Sequence, residues 1–183
     1  MWTLGAFNTA DAEDAVEMLT ACCASRAWAE KLASGRPYGS VAALRVAALA
    51  GFDELDESEL AVAHAAHPQI GAPIHEHSGA PIHERSGKPK SSRDGTEAAW
   101  SRGEQSRALT ADEAVRAELA EVNAAYERRF GRVFLICATG LTGEAILAEA
   151  KRRLGNDDRA EHRESVAQLR KIVALRLEKA VRP

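Results

Sequence analysis

The sequence has few aromatic residues and few cysteines, and both shortages narrow the possible fold classes. Aromatic residues make up 5% of the 183 residues. Alanine, leucine, glutamate and arginine, which favour helices, dominate over the β-branched and aromatic residues that favour strands. The three cysteines, Cys22, Cys23 and Cys137, are odd in number and lack the spacing of a disulfide framework. We therefore expect reduced thiols in a cytoplasmic protein.

An excess of basic charge is also missing. The chain has 24 basic and 27 acidic residues, with a net charge of −3, so neither nucleic acid nor a membrane surface is an expected partner. No apolar run approaches the ~20 residues that a membrane-spanning helix needs. The first residues also lack the basic start and long apolar stretch of a secretory signal.

Apolar residues recur at helical spacing along most of the chain and predict an all-α protein. We expect a single-domain helical bundle of about eight helices over residues 1–183. Polar side chains mark the expected helix starts, and the first helix is expected to run to about Ala24. The expected caps are Asn8 or Thr9, Ser40, Asp56 or Ser58, Thr110 with Glu113, Thr142 or Gly143, and Asp157 or Asp158.

Two stretches depart from the helical pattern. Residues 72–99 are rich in proline, glycine and serine, and residues 71–78 are echoed by residues 79–86, which predicts a flexible inserted surface loop. Residues 133–138 form a continuous apolar run. That run is expected to be buried, either as extended chain or as the start of a helix.

The sharpest local feature that could carry chemistry is His67 followed by Pro68. Pro68 should end the helix that begins near Asp56. His67 would then lie in the last turn, where the helix dipole favours a charged imidazole that titrates near neutral pH and exchanges protons. The alternative is a plain helix C-cap, and the spacing alone favours that alternative.

Two further features are a polar stretch at residues 101–105 and, earlier in the chain, a group of three histidines. The stretch is Ser101, Arg102, Gly103, Glu104 and Gln105; it could orient an imidazole or bind an amide edge, or it could be a solvated helix face. His75, His77 and His83 suggest a metal site. They lie on the proline-rich loop with no cysteine nearby, so we expect no functional metal there.

Several motifs in order resemble one family, the OHCU decarboxylases, which act on 2-oxo-4-hydroxy-4-carboxy-5-ureidoimidazoline (OHCU). Outside residues 72–99 the likeness covers nearly the whole chain. The motifs are His67-Pro-Gln-Ile-Gly71, Ser101-Arg-Gly-Glu-Gln105, Asn123-Ala-Ala-Tyr126, Arg129-Phe-Gly131, Phe134-Leu-Ile-Cys-Ala138 and Arg153-Leu-Gly-Asn156, with a tail pattern that includes Arg176 and Leu177.

The resemblance implies an all-helical homodimer that needs no metal or organic cofactor. It implies decarboxylation of OHCU to (S)-allantoin and CO2, the last step of urate breakdown to allantoin. His67 would be the catalytic histidine, Glu104 its acidic partner, and Pro68 a lining residue. The implied substrate-binding residues are Ser101, Arg102, Gly103, Glu104 and Gln105, then Phe134, Leu135, Ile136, Cys137 and Ala138, with Arg176 a weaker suggestion for a carboxylate contact.

The mechanism that we expect uses a protonated His67. An imidazolium would stabilise the negative charge left on the ring carbon and then protonate one face of the ring, while backbone amides of residues 136–138 anchor the ring carbonyls. Two alternatives remain open. One is a different reaction on a related intermediate, and the other is a non-enzymatic helical binding module whose histidine-rich loop captures metal.

Overall fold

The computed structural model describes residues 1–71, Trp100, Gly103 and residues 112–183. The chain divides into two compact units. The terminal unit comprises Met1–His67, Leu135–Cys137 and Asn156–Pro183, and the central unit comprises Pro68–Phe134 and Ala138–Gly155. Residues 72–99, predicted to be an inserted loop, lie outside the described residues. The prediction of a single domain stays a prediction.

The part of the chain that the structure describes contains eight bounded helices and two very short strands. The strands, β1 (Trp2–Thr3) and β2 (Val181–Arg182), pair in parallel, with Trp2 opposite Val181. The prediction of an all-α fold with about eight helices is therefore confirmed. The helices are α1 (Leu4–Thr9), α2 (Ala12–Cys23), α3 (Arg26–Ser34), α4 (Val41–Phe52), α5 (Glu57–Ala65), α6 (Glu113–Phe130), α7 (Gly143–Leu154) and α8 (Asp158–Ala180).

Most of the expected helix starts are present. At each of them a polar side chain accepts a hydrogen bond from an amide of the first turn, which has no carbonyl partner within the helix. Ser40 Oγ accepts from the Ala43 amide at 3.0 Å. Asp157 Oδ1 accepts from the Ala160 amide at 2.7 Å and begins the longest helix, α8. The caps predicted at Asp56 and Thr142 are likewise confirmed.

The first predicted helix is wrong, because two helices occupy its place. Asn8 lies inside α1 and does not cap a helix: its side chain donates to Tyr38 O and accepts from the Tyr38 amide, both at 2.9 Å. Thr3 caps α1, and α2 starts after Asp11. A contact with a residue far along the chain therefore overrides the local capping preference.

The start predicted at Thr110 also needs correction. Helix α6 begins at Glu113, and Asp112 Oδ1 accepts from the Ala114 amide at 2.9 Å. Thr110 itself lies outside the described residues. Asp112 is a good cap in its own right, since aspartate is among the preferred residues at this position.

The terminal unit is built around α8, which packs on α2, α4 and α5, while α3 packs on α2 and α4. Trp28 is buried, and its Nε1 donates to Ala48 O at 2.9 Å, which joins α3 to α4. Arg36 donates to Phe7 O at 2.7 Å and to Ala10 O at 2.9 Å. A single guanidinium thereby satisfies carbonyls at the end of α1 that have no helical partner.

Gly131 ends α6 in the left-handed conformation, with φ +67, and its amide donates to Glu127 O at 2.9 Å. A Cβ at this position meets no atom within 4 Å, so a side chain here strains only the backbone. We expect Gly131→Ala to lower the free energy of unfolding by about 1–2 kcal/mol, as measured by urea denaturation.

Gly5→Ala is the matched control for that substitution. Gly5 lies in α1, and a Cβ there also meets nothing within 4 Å. Because alanine favours helix over glycine, this variant should gain about 0.5 kcal/mol. Equal stability of the two variants would contradict the role assigned to Gly131.

Candidate active site around His67

His67 lies just beyond α5, not within its last turn as predicted. The helix ends at Ala65, Ala66 is its C-cap, and the His67 amide donates to His64 O at 3.1 Å. The His67 side chain turns back, and its Nδ1 lies 2.8 Å from Ala63 O. The imidazole therefore satisfies one of the carbonyls left without a partner at the end of the helix.

That hydrogen bond fixes the tautomer of the imidazole. A carbonyl oxygen only accepts, so Nδ1 carries the proton and donates it to Ala63 O, and Nε2 is left with its lone pair. His67 is 7% exposed, and its Nε2 is buried with no hydrogen-bond partner among the described residues. A buried polar atom without a partner costs about 1–3 kcal/mol, and a catalytic role is one of the explanations for such an atom in a native structure.

The His67 imidazole is neutral. Burial lowers its pKa from 6.5 to about 3, and the positive charge of Arg176 acts in the same direction. The hydrogen bond to Ala63 O favours the charged form, but it does not outweigh burial. The prediction that His67 titrates near neutral pH as an imidazolium is therefore wrong, because a helix-end argument takes no account of desolvation.

Helix α8 contributes polar residues to the surroundings of His64 and His67. Arg176, 2% exposed, is close enough to lower the pKa of His67. Ser165 Oγ, one of the buried polar groups of α8, is 2.9 Å from His64 Nε2. The sequence analysis named Arg176 but missed Ser165, although a serine on the apolar side of a long helix was a visible signal.

The apolar run at residues 133–138 has no regular secondary structure, which settles the choice that the sequence left open in favour of non-helical chain. Leu135 and Ile136 are buried and Cys137 is half-buried. The Cys137 amide donates to Gln168 Oε1 on α8 at 3.1 Å. The expectation that this amide binds substrate therefore needs correction, since a side chain already accepts its hydrogen bond.

The two ends of the run belong to the central unit. Phe134 is fully buried, packs edge-on against Tyr126 with ring centroids 5.3 Å apart, and lies under the Arg153 guanidinium at 4.8 Å. Ala138 is buried, and its carbonyl accepts from the Leu141 amide at 3.0 Å. Both residues thus have structural contacts that account for their burial.

The chain after His67 is held within the central unit. Pro68 is half-buried. Asn123 Nδ2 donates to Ile70 O, and Gln69 Nε2 donates to Glu127 Oε1, both at 2.9 Å. Asn123 and Glu127 are one helical turn apart on α6, so one face of that helix holds the segment in place.

The polar stretch expected to face His67 is outside the described residues, except for one position. Gly103 is helical and exposed. The structure says nothing about Ser101, Arg102, Glu104 or Gln105, nor about His75, His77 and His83. Within the described ranges no group of three or more histidine, cysteine or acidic side chains could hold a metal ion. None of the helices described there is long and apolar enough to span a membrane.

The lowered pKa of His67 predicts how stability depends on pH. An unfolded chain binds a proton at this histidine below about pH 6.5, and the folded chain does so only near pH 3. The free energy of unfolding should therefore fall on acidification by about 1.4 kcal/mol per pH unit below pH 6.5. Urea denaturation between pH 7 and pH 5 should show this slope in the parent protein and not in His67→Gln.

His162→Gln is the matched control for this measurement. His162 is on α8, its side chain is 34% exposed, and its Nε2 is 3.3 Å from Glu57 Oε1. This variant should retain most of the acid-dependent loss of stability. The same slope in the parent protein and in His67→Gln would contradict a neutral, buried His67.

The OHCU decarboxylase family model matches residues 8–178. The chain is 31% identical over 159 residues to a uric acid degradation bifunctional protein of Arabidopsis thaliana, covering 86% of this chain and 44% of that protein. It is 40% identical over 84 residues to the 2-oxo-4-hydroxy-4-carboxy-5-ureidoimidazoline decarboxylase of Amia calva, covering 44% of this chain and 47% of that protein. The matched region thus spans less than half the length of each of these relatives.

Two solved structures share the fold. A crystal structure of OHCU decarboxylase in the presence of (S)-allantoin has a TM-score of 0.67 at 24% identity, over 89% of this chain and 96% of that one. A crystal structure of (S)-allantoin synthase has a TM-score of 0.69 at 15% identity, over 98% of this chain and 54% of that one. The resemblance inferred from the motifs is confirmed by the family match over most of the sequence: the chain belongs to the OHCU decarboxylase family.

Proposed function

We propose that this chain catalyses the cofactor-independent decarboxylation of OHCU to (S)-allantoin and CO2 in urate degradation, with His67 as the acid/base residue. Membership of the family supports the reaction. The observation that carries the role of His67 is its buried Nε2, which has a lone pair and no partner among the described residues. An acceptor in this state is suited to take a proton from a bound substrate.

The substrate's name places a hydroxyl and a carboxyl group on the same ring carbon, C4, next to the carbon that carries the ureido group, C5. Loss of CO2 breaks the bond between C4 and the carboxylate carbon. The electron pair stays on the ring and spreads to the adjacent imine nitrogen, which takes a proton from solvent. To reach allantoin, the C4 hydroxyl must then lose its proton and C5 must gain one.

A neutral His67 fits this proton balance. Its Nε2 accepts the hydroxyl proton and becomes an imidazolium, which returns that proton to C5 and is neutral again. Delivery from one fixed position adds the proton to one face of the ring, which determines the stereochemistry of the product. This route replaces the pre-formed imidazolium expected from the sequence, because burial beside Arg176 disfavours the charged resting state.

The other site residues extend the proposal. Arg176 is a buried cation near His67, and we propose that it attracts the anionic substrate. Pro68 would line the site beside His67. The family resemblance supports Glu104 as the acidic partner of the histidine. It also supports substrate contacts by Ser101, Arg102, Gly103, Gln105 and the run Phe134, Leu135, Ile136, Cys137 and Ala138.

The proposal also covers the setting of the enzyme. We propose a homodimer, which the family resemblance supports, that acts in the cytoplasm as one domain with an insertion at residues 72–99. Cytoplasmic reduction agrees with the state of the thiols, since Cys22, Cys23 and Cys137 are not joined in disulfides. Burial raises the pKa of the Cys23 thiol to about 12, so it behaves as a small apolar group and not as a redox centre.

The test is direct turnover with OHCU generated from urate in situ, following CO2 release and the optical rotation of allantoin. His67→Asn should lower the decarboxylation rate by at least about 100-fold and remove stereoselectivity, because the positioned base is lost. His162→Asn, a change at a half-exposed histidine, should leave both unchanged. Normal turnover and (S)-selectivity in His67→Asn would contradict the assignment.

The pH dependence gives a separate test. A resting imidazole with a pKa of about 3 stays neutral between pH 8 and pH 5. The pH dependence of kcat/KM reports the pKa values of the free enzyme. Under the proposed route, a plot of kcat/KM against pH should therefore show no transition near pH 6.5. Stopped-flow measurement over this range provides the profile. An activity that rises on acidification through pH 6.5 would instead favour the imidazolium mechanism.

A panel of related ureido and hydantoin acids, with CO2 as the readout, separates this function from its nearest alternative. The proposed enzyme releases CO2 from OHCU and not from the other compounds. If the protein released CO2 from another compound of the panel and not from OHCU, that compound would be the substrate and the proposed function would be wrong.

A further inference from the structure

The buried polar residues of α8 lie along one stripe, defined as positions 161, 165, 168, 172 and 176. These positions recur every three or four residues, so they share one face of the helix. Ser165 is hydrogen-bonded to His64, and Arg176 acts on His67. Gln168 lies between these two residues along the stripe, and the chemistry described above does not use it.

Gln168 contacts a different segment from its neighbours on the stripe. Its Oε1 accepts from the Cys137 amide at 3.1 Å. Residues 135–137 belong to no helix or strand, so no regular backbone pattern fixes their orientation. The hydrogen bond to a side chain of a long helix therefore restrains this stretch of backbone.

The amide of the preceding residue, Ile136, differs from that of Cys137 because it has no acceptor among the described residues. Ile136 is 8% exposed. An amide without an acceptor is uncommon in a buried residue of a native protein. The planar peptide groups on either side of the Ile136 Cα share only two soft rotations. Fixing the Cys137 amide therefore restricts the direction of the Ile136 amide.

We propose that Gln168 is a positioning residue. By accepting the Cys137 amide, it holds the backbone of residues 135–137 so that the Ile136 amide donates to a ring carbonyl of the bound substrate. This inference rests on the proposed function, since it assigns that amide to the same reaction. The donor gains importance as charge spreads over the ring during loss of CO2, so it acts on the transition state as well as on binding.

The experiment compares two substitutions at this position. Gln168→Met keeps an unbranched side chain but lacks a good acceptor, whereas Gln168→Glu keeps an oxygen that can accept the Cys137 amide. Lys171→Met is the matched control, because it also replaces a polar, unbranched side chain by methionine, at an exposed position of the same helix. For each variant kcat and KM are measured with OHCU, together with the thermal midpoint.

We expect Gln168→Met to lower kcat/KM by about 10–100-fold, through both a lower kcat and a higher KM, because misplacing a donor weakens binding and catalysis. Gln168→Glu should recover most of this loss, and Lys171→Met should match the parent protein. The rise in KM is decisive, since a smaller folded fraction lowers kcat and leaves KM unchanged. An unchanged KM in Gln168→Met would overturn the proposal.

Amide hydrogen exchange separates this inference from the proposed function. Protection of the Cys137 amide should fall in Gln168→Met and persist in Gln168→Glu. If the parent protein failed to decarboxylate OHCU while this protection pattern held, the proposed function would fail and the anchoring would stand. Equal protection in all variants would overturn the anchoring, whatever the enzyme turns over.

Discussion

The hydrogen bond from His67 Nδ1 to Ala63 O is the interaction on which the site depends. It is 2.8 Å long and buried, and it fixes the proton on one nitrogen and leaves the other as a base. Without it the imidazole could rotate or change tautomer, and Nε2 would no longer be fixed as the nitrogen with the lone pair. The carbonyl that accepts it belongs to the end of a helix and lacks a helical partner. The orientation of the base is therefore coupled directly to the termination of α5.

A neutral imidazole is also the state that lets a buried arginine lie close by. Two cations in a poorly hydrated site repel each other strongly, and the charge of Arg176 is one cause of the lowered pKa of His67. His67 is the group whose pKa responds, and its imidazole is neutral. A bound anion would partly cancel the charge of Arg176. Binding of the substrate would then itself make the imidazole a better proton acceptor.

The sequence predicted correctly those features that are determined by residues close together in the chain. The caps at Ser40 and Asp157 and the overall helical class are of this kind. The predictions that failed depend on residues far apart in the chain. The side chain of Asn8 is bound by Tyr38, and the protonation of His67 is set by burial and by a residue of the last helix. Gln168 was missed because its partner is a backbone amide, which carries no sequence signature.

Helix α8 explains how three separate segments are kept in register. Asp157 caps its start, and its end continues into β2, which pairs with β1. A slip of α8 by one turn would move every side chain by about 5.4 Å. It would at once separate Ser165 from His64, Gln168 from the Cys137 amide and Arg176 from His67. Fixing the two ends of this helix therefore stabilises the fold and also keeps Ser165, Gln168 and Arg176 at their partners.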